Sequence, residues 1–276
     1  MFKKCLFPLA LGLFLLPACN NSSSTEGQDD SMGQFADDEN FKDAHQSPDS
    51  LGYQGKGQMV EFDTPDGQKG SAYLVTPEAA NGSVLFVIHE WWGLNDHIKR
   101  EADRLAGELS GTTVYALDLY DGKIADNPDQ AGQYMQAVQE DRLNAIINGA
   151  LAQAGPEAKV ATIGWCFGGG WSLRSSILAG KQGAGCVMYY GMPVQEAQKL
   201  APLQADVLGL FAKQDDWINQ EVVDKFSALA KATGKDLEVH WFDAKHAFAN
   251  PSQPSYDQSA AQDANALALE FLKARL

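Results

Sequence analysis

Residues 160–170 read VATIGWCFGGG, and this stretch decides the fold class. Residues 160–163 form an apolar run typical of a buried strand, and a helical pattern follows the glycines. Between them, Gly164 and Gly168 flank Cys166 in a G-x-C-x-G turn, the spacing of a nucleophile elbow. Side chains at those glycines would collide with neighbouring backbone. The stretch predicts a strand–turn–helix unit that presents Cys166 as a nucleophile at a helix N-terminus; a buried structural cysteine is the alternative.

Outward from this unit, strand-like runs alternate with helical patterns along residues 51–276. The apolar runs lie at 84–88, 114–117, 160–163, 186–190, 207–211 and 237–242. The helical patterns lie at 95–109, 130–153, 222–232 and 260–276. Two further runs, 58–64 and 71–76, flank Pro65-Asp66-Gly67 and predict a hairpin. The alternation predicts one α/β domain over 51–276, with a mostly parallel central sheet and helices on both faces.

A nucleophilic cysteine requires a base, and the base requires a group that orients it. Asp215 follows the run at 207–211, and His246 follows the run at 237–242, so both lie where the carboxyl ends of parallel strands meet. Cys166, Asp215 and His246 are thus predicted as a triad. Asp216 is the alternative acid, and capping the next helix is the alternative role for either aspartate. His240 lies inside a strand pattern and is predicted to sit on a sheet face.

Four motifs together resemble the dienelactone hydrolase family. They are the elbow GWCFGGG at 164–170, HEWWGL at 89–94, DLY at 118–120 and HAF at 246–248. The resemblance extends from about residue 57 to the C-terminus. It implies the α/β-hydrolase fold and cleavage of an ester or lactone bond. The implied chemistry uses a Cys-His-Asp triad of Cys166, His246 and Asp215, with a thioester-type acyl-enzyme.

The resemblance also implies roles for residues next to the triad. Glu90 would hold the thiol inactive until a substrate displaces its carboxylate; a solvated loop acid is the alternative. The backbone N–H groups of Trp91 and Phe167 would bind the oxyanion of the tetrahedral intermediate. Family members that act on dienelactone hold its carboxylate with arginines at two positions where this chain has Lys123 and Asn250. A neutral ester or lactone is therefore as compatible with the sequence as dienelactone.

Aromatic side chains near these motifs are candidates for lining a substrate pocket. Trp92, Tyr120 and Lys123 are the residues predicted there, and packing in the core is the alternative for the two aromatics. No cofactor is predicted. No metal site is predicted either, because His89 and His97 lack the H-E-x-x-H spacing. Cys186 lies in an apolar run and is predicted to be a core residue.

The N-terminus carries a pattern for export. Residues 1–18 combine two lysines with an apolar stretch too short to span a bilayer, which predicts a signal peptide. Residues 16–19 resemble a bacterial lipobox, so Cys19 is predicted to carry lipid; an ordinary cleavage site is the alternative. Residues 19–50 are polar and acidic and are predicted to be a disordered linker, with His45 solvated. The protein is therefore expected to be lipid-anchored to a bacterial membrane, its body facing the periplasm or cell exterior.

Composition narrows the classes of partner. The formal net charge of −15 argues against nucleic-acid binding and against docking on anionic lipid, so membrane contact is expected only through the anchor. The expected partner is a small-molecule ester or lactone, and the expected state is a monomer. A non-catalytic ligand-binding lipoprotein on the same scaffold is the second functional hypothesis. A thiol redox protein is the third, although Cys166 lacks a C-x-x-C partner.

Overall fold

A mixed sheet of eight strands forms the centre of the molecule. The computed structural model describes residues 1–2 and 31–276. In chain order the strands are β1 Gln58–Asp63, β2 Lys69–Val75, β3 Ser83–Ile88, β4 Thr113–Leu117, β5 Lys159–Trp165, β6 Gly183–Tyr189, β7 Val207–Ala212 and β8 Leu237–Phe242. Their order across the sheet is β1-β2-β4-β3-β5-β6-β7-β8. The β1–β2 and β2–β4 pairs are antiparallel and the other pairs are parallel, which confirms the hairpin and the mostly parallel sheet.

Helices cover both faces of the sheet. They are α1 Glu39–Asp43, α2 Asp96–Glu108, α3 Pro128–Ala137, α4 Glu140–Ala154, α5 Phe167–Ala179, α6 Ala197–Leu200, α7 Gln220–Ala232 and α8 Gln258–Lys273. Short 3-10 turns occupy Met32–Phe35 and Gly180–Gln182. The β3–α2–β4 and β5–α5–β6 connections run in opposite directions across the sheet, so right-handed crossovers put α2 and α5 on opposite faces. An ion pair of Lys273 with Glu108 joins α8 to α2.

The register of the central strands brings the predicted site residues to one edge. Strands β3 and β7 are buried along their whole length, as expected for strands covered on both faces. Ile88 at the end of β3 pairs with Gly164 near the end of β5. Ala212 at the end of β7 likewise pairs with Phe242 at the end of β8. Because these strands are parallel, the loops that follow them meet at their carboxyl ends.

The single helix predicted over 130–153 is in fact two helices. Helix α3 ends at Ala137 and α4 begins at Glu140, because Val138 adopts an extended conformation with ψ of 137°. The Asn127 side chain caps α3 by accepting a hydrogen bond from Gln130 N–H, so α3 also begins earlier than predicted.

The prediction of a disordered linker over 19–50 is wrong for residues 32–45. Asp38 caps α1 by accepting hydrogen bonds from two backbone N–H groups, and the Phe41 side chain is 0 % exposed. Met32 and Ala36 are also buried in the hydrophobic core. The polar composition of the stretch conceals these few apolar side chains, whose burial offsets the cost of ordering a short capped segment. The signal peptide prediction for residues 3–18 and the lipidation prediction for Cys19 lie outside the described residues.

Within residues 1–2 and 31–276, no helix has both the length and the apolar character needed to cross a bilayer.

Candidate active site

The elbow between β5 and α5 has the strained backbone that its sequence predicts. Cys166 has φ of 55° and ψ of −118°, a conformation that residues other than glycine rarely adopt. A Cβ at Gly164 would lie 2.1 Å from the carbonyl oxygen of Gly168. A Cβ at Gly168 would lie 2.4 Å from the carbonyl oxygen of Ile88. Both glycines are therefore required for β3, β5 and α5 to approach closely enough to hold Cys166 in place.

Asp215, and not its neighbour Asp216, contacts His246. The Nδ1–H group of His246 donates to Asp215 Oδ2 at 2.7 Å, and both side chains are buried. The other oxygen, Asp215 Oδ1, accepts from the backbone N–H groups of Trp217 and Ile218, each at 2.9 Å. Asp215 thus holds the imidazole and its own loop at once, whereas Asp216 is exposed. Because Nδ1 carries the proton, Nε2 of His246 presents a lone pair.

Cys166 lies beside that lone pair. The Cys166 sulphur and a His246 ring nitrogen lie within 4.8 Å of each other. Although burial alone lowers the pKa of His246, the negative charges of Asp215 and Cys166 raise it to about 10. Burial raises the pKa of the Cys166 thiol, and the adjacent His246 offsets only part of that effect. The pair can therefore hold one proton between sulphur and imidazole, as a cysteine nucleophile and its base require.

Glu90 adds a second carboxyl group to the site. Its side chain is 6 % exposed, and Asn250 Nδ2 donates a hydrogen bond to Glu90 Oε2. Burial raises the pKa of Glu90 to about 7, against the opposing influence of His246 and Asn250. The charge of Glu90 in turn raises the pKa of Cys166. Near neutral pH, the protonation state of Glu90 therefore controls how readily the thiol ionises.

Of the two backbone groups predicted to bind an oxyanion, one is seen to act on Cys166. The Phe167 N–H group, at the start of α5, lowers the pKa of the thiol by hydrogen bonding. Trp91 directly follows Glu90, and its side chain is fully buried against Trp92, with ring centroids 5.0 Å apart. The role of the Trp91 N–H group stays a prediction.

A cavity of about 460 Å³ opens beside Glu90. Trp165 and Asn250 line its wall on the side of the elbow. On the opposite side, Arg100 and Arg104 of α2 line it, and Arg104 donates two hydrogen bonds to Glu101. The sequence interpretation missed these arginines, because they lie on a helix outside the four motifs. Their spacing of one helical turn, directly after the HEWWGL motif, was the available signal.

The structure does not place the three predicted pocket residues in this cavity. Trp92 is 1 % exposed and packs in the core. Tyr120 and Lys123 line a separate cavity of about 210 Å³, together with Tyr134. Lys123 lies over the ring of Tyr134, its Nζ atom 5.6 Å from the ring centre. The core-packing alternative therefore holds for Trp92, and Lys123 faces a different part of the surface.

The N-terminal segment, residues 31–50, covers the triad. The Phe41 ring contacts Trp91, Trp217 and His246, with ring centres 4.9, 5.0 and 5.7 Å away. His45 is 6 % exposed, not solvated as predicted, and its ring centre lies 5.5 Å from that of His246. Two hydrogen bonds join Gln46 to Gln253, and Trp217 Nε1 donates to Asp38 Oδ2 at 3.0 Å. The segment thereby adds a second imidazole to the site.

Comparison with known proteins places this geometry in context. The model of the family described as "Dienelactone hydrolase family" matches residues 71–276. Protein usf of Aquifex pyrophilus is 33% identical over 235 residues, covering 79% of this chain and 98% of that protein. Carboxymethylenebutenolidase 1 of Cupriavidus pinatubonensis is 27% identical over 231 residues, covering 77% and 95%. A crystal structure of a dienelactone hydrolase-like promiscuous phosphotriesterase from metagenomic libraries aligns with a TM-score of 0.67, at 23% identity, over 80% of this chain and 99% of that one.

Proposed function

This chain belongs to the dienelactone hydrolase family, and on that premise we propose that it hydrolyses carboxylic esters or lactones with Cys166 as the nucleophile. The observation that carries the proposal is the hydrogen bond between His246 Nδ1 and Asp215 Oδ2 at 2.7 Å, beside the buried sulphur of Cys166. The name of the Cupriavidus relative, a carboxymethylenebutenolidase, supports lactone hydrolysis as the reaction class.

In the proposed first half-reaction, the thiol proton of Cys166 passes to His246 Nε2 as sulphur attacks the carbonyl carbon. The N–H groups of Phe167 and Trp91 bind the oxyanion that develops. The carbon–oxygen bond of the ester then breaks, and the imidazolium of His246 gives its proton to the leaving oxygen. This step leaves a thioester on Cys166. Asp215 keeps the His246 proton on Nδ1 throughout, so that Nε2 is always the atom that exchanges protons.

In the second half-reaction, water gives a proton to His246 Nε2 and its oxygen to the acyl carbon. The carbon–sulphur bond breaks, and the proton returns to the sulphur. Glu90 controls entry into this cycle. When ionised, its charge keeps the resting thiol protonated, and a substrate that displaces the carboxylate removes that restraint.

The experiment that tests the proposal compares two cysteine variants. We expect the purified protein to hydrolyse short-chain p-nitrophenyl esters and simple lactones. Cys166→Ala should lose at least about 10³-fold in kcat, as expected when a nucleophile is removed. Cys186→Ala is the matched control, because Cys186 is also buried but lies in β6. Equal turnover by Cys166→Ala and the wild type would contradict the proposal; tight ligand retention without product would favour the binding hypothesis.

The cavity beside Glu90 supports a proposal about the substrate. Its walls combine Trp165 with Arg100 and Arg104, so we propose a small ester or lactone whose acyl side carries a negative charge or a strong hydrogen-bond acceptor. These arginines would take the place of the two that the resemblance led us to seek near Lys123 and Asn250.

We also propose that the protein is exported and attached to a bacterial membrane through lipid on Cys19. The support is the sequence pattern of residues 1–19. Expression with radiolabelled palmitate should label the wild type and leave a Cys19→Ala variant unlabelled. Labelling of the variant, or none of the wild type, would contradict the anchor while leaving the hydrolase proposal untouched.

A further inference from the structure

The N-terminal segment brings a third ligand-type side chain to the nucleophile and its base. His45, Cys166 and His246 each offer one sulphur or ring nitrogen atom, and these three atoms all lie within 4.8 Å of one another. All three side chains are buried. His45 takes no part in the proposed hydrolysis, so its position requires a separate account.

Hydrogen bonding fixes which nitrogen of each imidazole faces the cluster. His45 Nδ1 lies 2.6 Å from the carbonyl oxygen of Phe41, which can only accept, so Nδ1 carries the proton. His246 Nδ1 similarly donates to the Asp215 carboxylate. Each ring is left with an Nε2 lone pair. Neither Nε2 atom has a hydrogen-bond partner among the described residues.

The cluster is therefore rich in lone pairs and poor in protons. One thiol proton can serve only one of the two Nε2 atoms. Burial and the neighbouring His246 lower the pKa of His45 to about 3, so His45 stays neutral at physiological pH and supplies no proton of its own. A buried acceptor without a donor costs free energy, and a bound cation would remove that cost.

We propose that His45, Cys166 and His246 bind a divalent transition-metal ion of the zinc class. Two imidazoles and one thiolate are ligands that Zn²⁺ prefers, and magnesium and calcium, which prefer oxygen ligands, are not expected to bind. Each imidazole already has the outer hydrogen bond typical of a metal-bound histidine, from His45 to a backbone carbonyl and from His246 to a carboxylate. Binding displaces the thiol proton to solvent.

The spacing needs only a small adjustment. Tetrahedral zinc bonds place neighbouring nitrogen and sulphur ligands about 3.3–3.6 Å apart, so the three side chains must close by about 1 Å or less from their limit of 4.8 Å. Three protein ligands leave a fourth position for water. Because the metal would occupy both the nucleophile and the base, binding and hydrolysis exclude each other. The site thus goes beyond the proposed hydrolase function, and it can be measured without substrate.

The test uses Co²⁺ as a spectroscopic substitute for Zn²⁺ on the purified, reduced protein. We expect one equivalent to bind with a thiolate-to-cobalt charge-transfer band, and Zn²⁺ to displace it. Cys166→Ala should lose the band. His45→Phe, which keeps a ring against Phe41 and Trp91, and His45→Gln should each lower the affinity at least about tenfold. The matched controls Cys186→Ala and His240→Gln should bind Co²⁺ like the wild type.

Two results would overturn the metal site: no thiolate band in the reduced wild type, or wild-type affinity in both His45 variants. Circular dichroism of each variant shows whether a loss reflects unfolding. Ester hydrolysis, measured on the same metal-free samples, separates this proposal from the function. Cobalt binding without turnover would contradict only the hydrolase proposal, and turnover without cobalt binding would contradict only the metal site.

Discussion

At the scale of single residues, the two adjacent aspartates offer a matched test of the triad. Asp215→Asn keeps an oxygen for the N–H groups of Trp217 and Ile218 but presents no charge to His246. We expect kcat to fall about 10³–10⁴-fold, because the imidazole loses its fixed tautomer and its stabilising charge. Asp216→Asn, at the exposed neighbour, should leave kcat little changed. Steady-state kinetics on a p-nitrophenyl ester measures both, and equal kcat values for the two variants would contradict Asp215 as the orienting acid.

Glu90 predicts an unusual dependence of thiol reactivity on pH. Because the pKa of Glu90 is raised to about 7, chiefly by burial, its carboxylate is charged above that pH and neutral below it. The charge raises the pKa of Cys166, so Glu90→Gln should be alkylated by iodoacetamide faster than the wild type above pH 7. The gain is about tenfold for each pKa unit removed. Below pH 7 the two rates should converge.

Asn250→Ala supplies the control for this pH dependence. The Asn250 amide lowers the pKa of Glu90, so its loss should move the point of convergence to higher pH. Parallel rate profiles for wild type and Glu90→Gln across the whole range would show that Glu90 does not act on the thiol.

Arg100 and Lys123 separate two predictions about substrate recognition. Arg100 lines the cavity beside Glu90, whereas Lys123 lines the separate cavity at Tyr134. We expect Arg100→Gln to raise KM about tenfold for an ester with a free carboxylate and to leave KM for a neutral ester unchanged. Lys123→Gln should change neither value. A reversed pattern would restore the role that the sequence first suggested for Lys123.

At the scale of secondary-structure elements, α1 is the element whose loss should be easiest to detect. Phe41 is fully buried, whereas Phe35, six residues earlier, is only half-buried. Removing a buried phenylalanine costs about 3–5 kcal/mol, which is enough to release a short segment from the domain. We expect Phe41→Ala to make residues 31–50 sensitive to limited proteolysis, with much less effect from Phe35→Ala. Resistance of the Phe41→Ala segment would mean that its polar contacts alone hold it.

The elements also show what local sequence patterns can and cannot predict. The elbow at Cys166 and the loops of Asp215 and His246 were predictable, because each follows a short apolar strand whose direction fixes where the next residue lies. Helix α1 was not, because the acidic composition of its surroundings outweighs one Phe41 in any average. The break at Val138 was missed for a similar reason: the apolar periodicity continues from α3 into α4. His45 reaches His246 only through tertiary packing, which no local pattern encodes.

At the scale of the whole molecule, His45 should make the stability of the protein sensitive to mild acid. Its pKa is lowered from 6.5 to about 3 by burial and by His246. Between those values the unfolded chain binds a proton that the folded chain cannot, so the free energy of unfolding falls as pH falls below 6.5. The loss from this residue reaches about 1.4 kcal/mol for each pH unit.

Urea unfolding at several pH values between 7 and 4 measures this term as a difference between variants. Wild type should lose stability faster than His45→Phe as pH falls, because the phenylalanine has nothing to titrate. His240→Phe, at an exposed position in β8, should follow the wild-type curve. Equal slopes for wild type and His45→Phe would mean that His45 leaves its buried site before it is protonated.

The packing of Phe41 against two tryptophans has an optical consequence. Trp91 and Trp217 both contact the Phe41 ring, and the Trp217 indole N–H also bonds to Asp38 of the same segment. Lifting the segment would hydrate both indoles together, so their emission should shift to longer wavelength whenever the triad is uncovered. The protein therefore carries a built-in fluorescent reporter of access to its own sulphur, and stopped-flow emission could time that opening against turnover without any added dye.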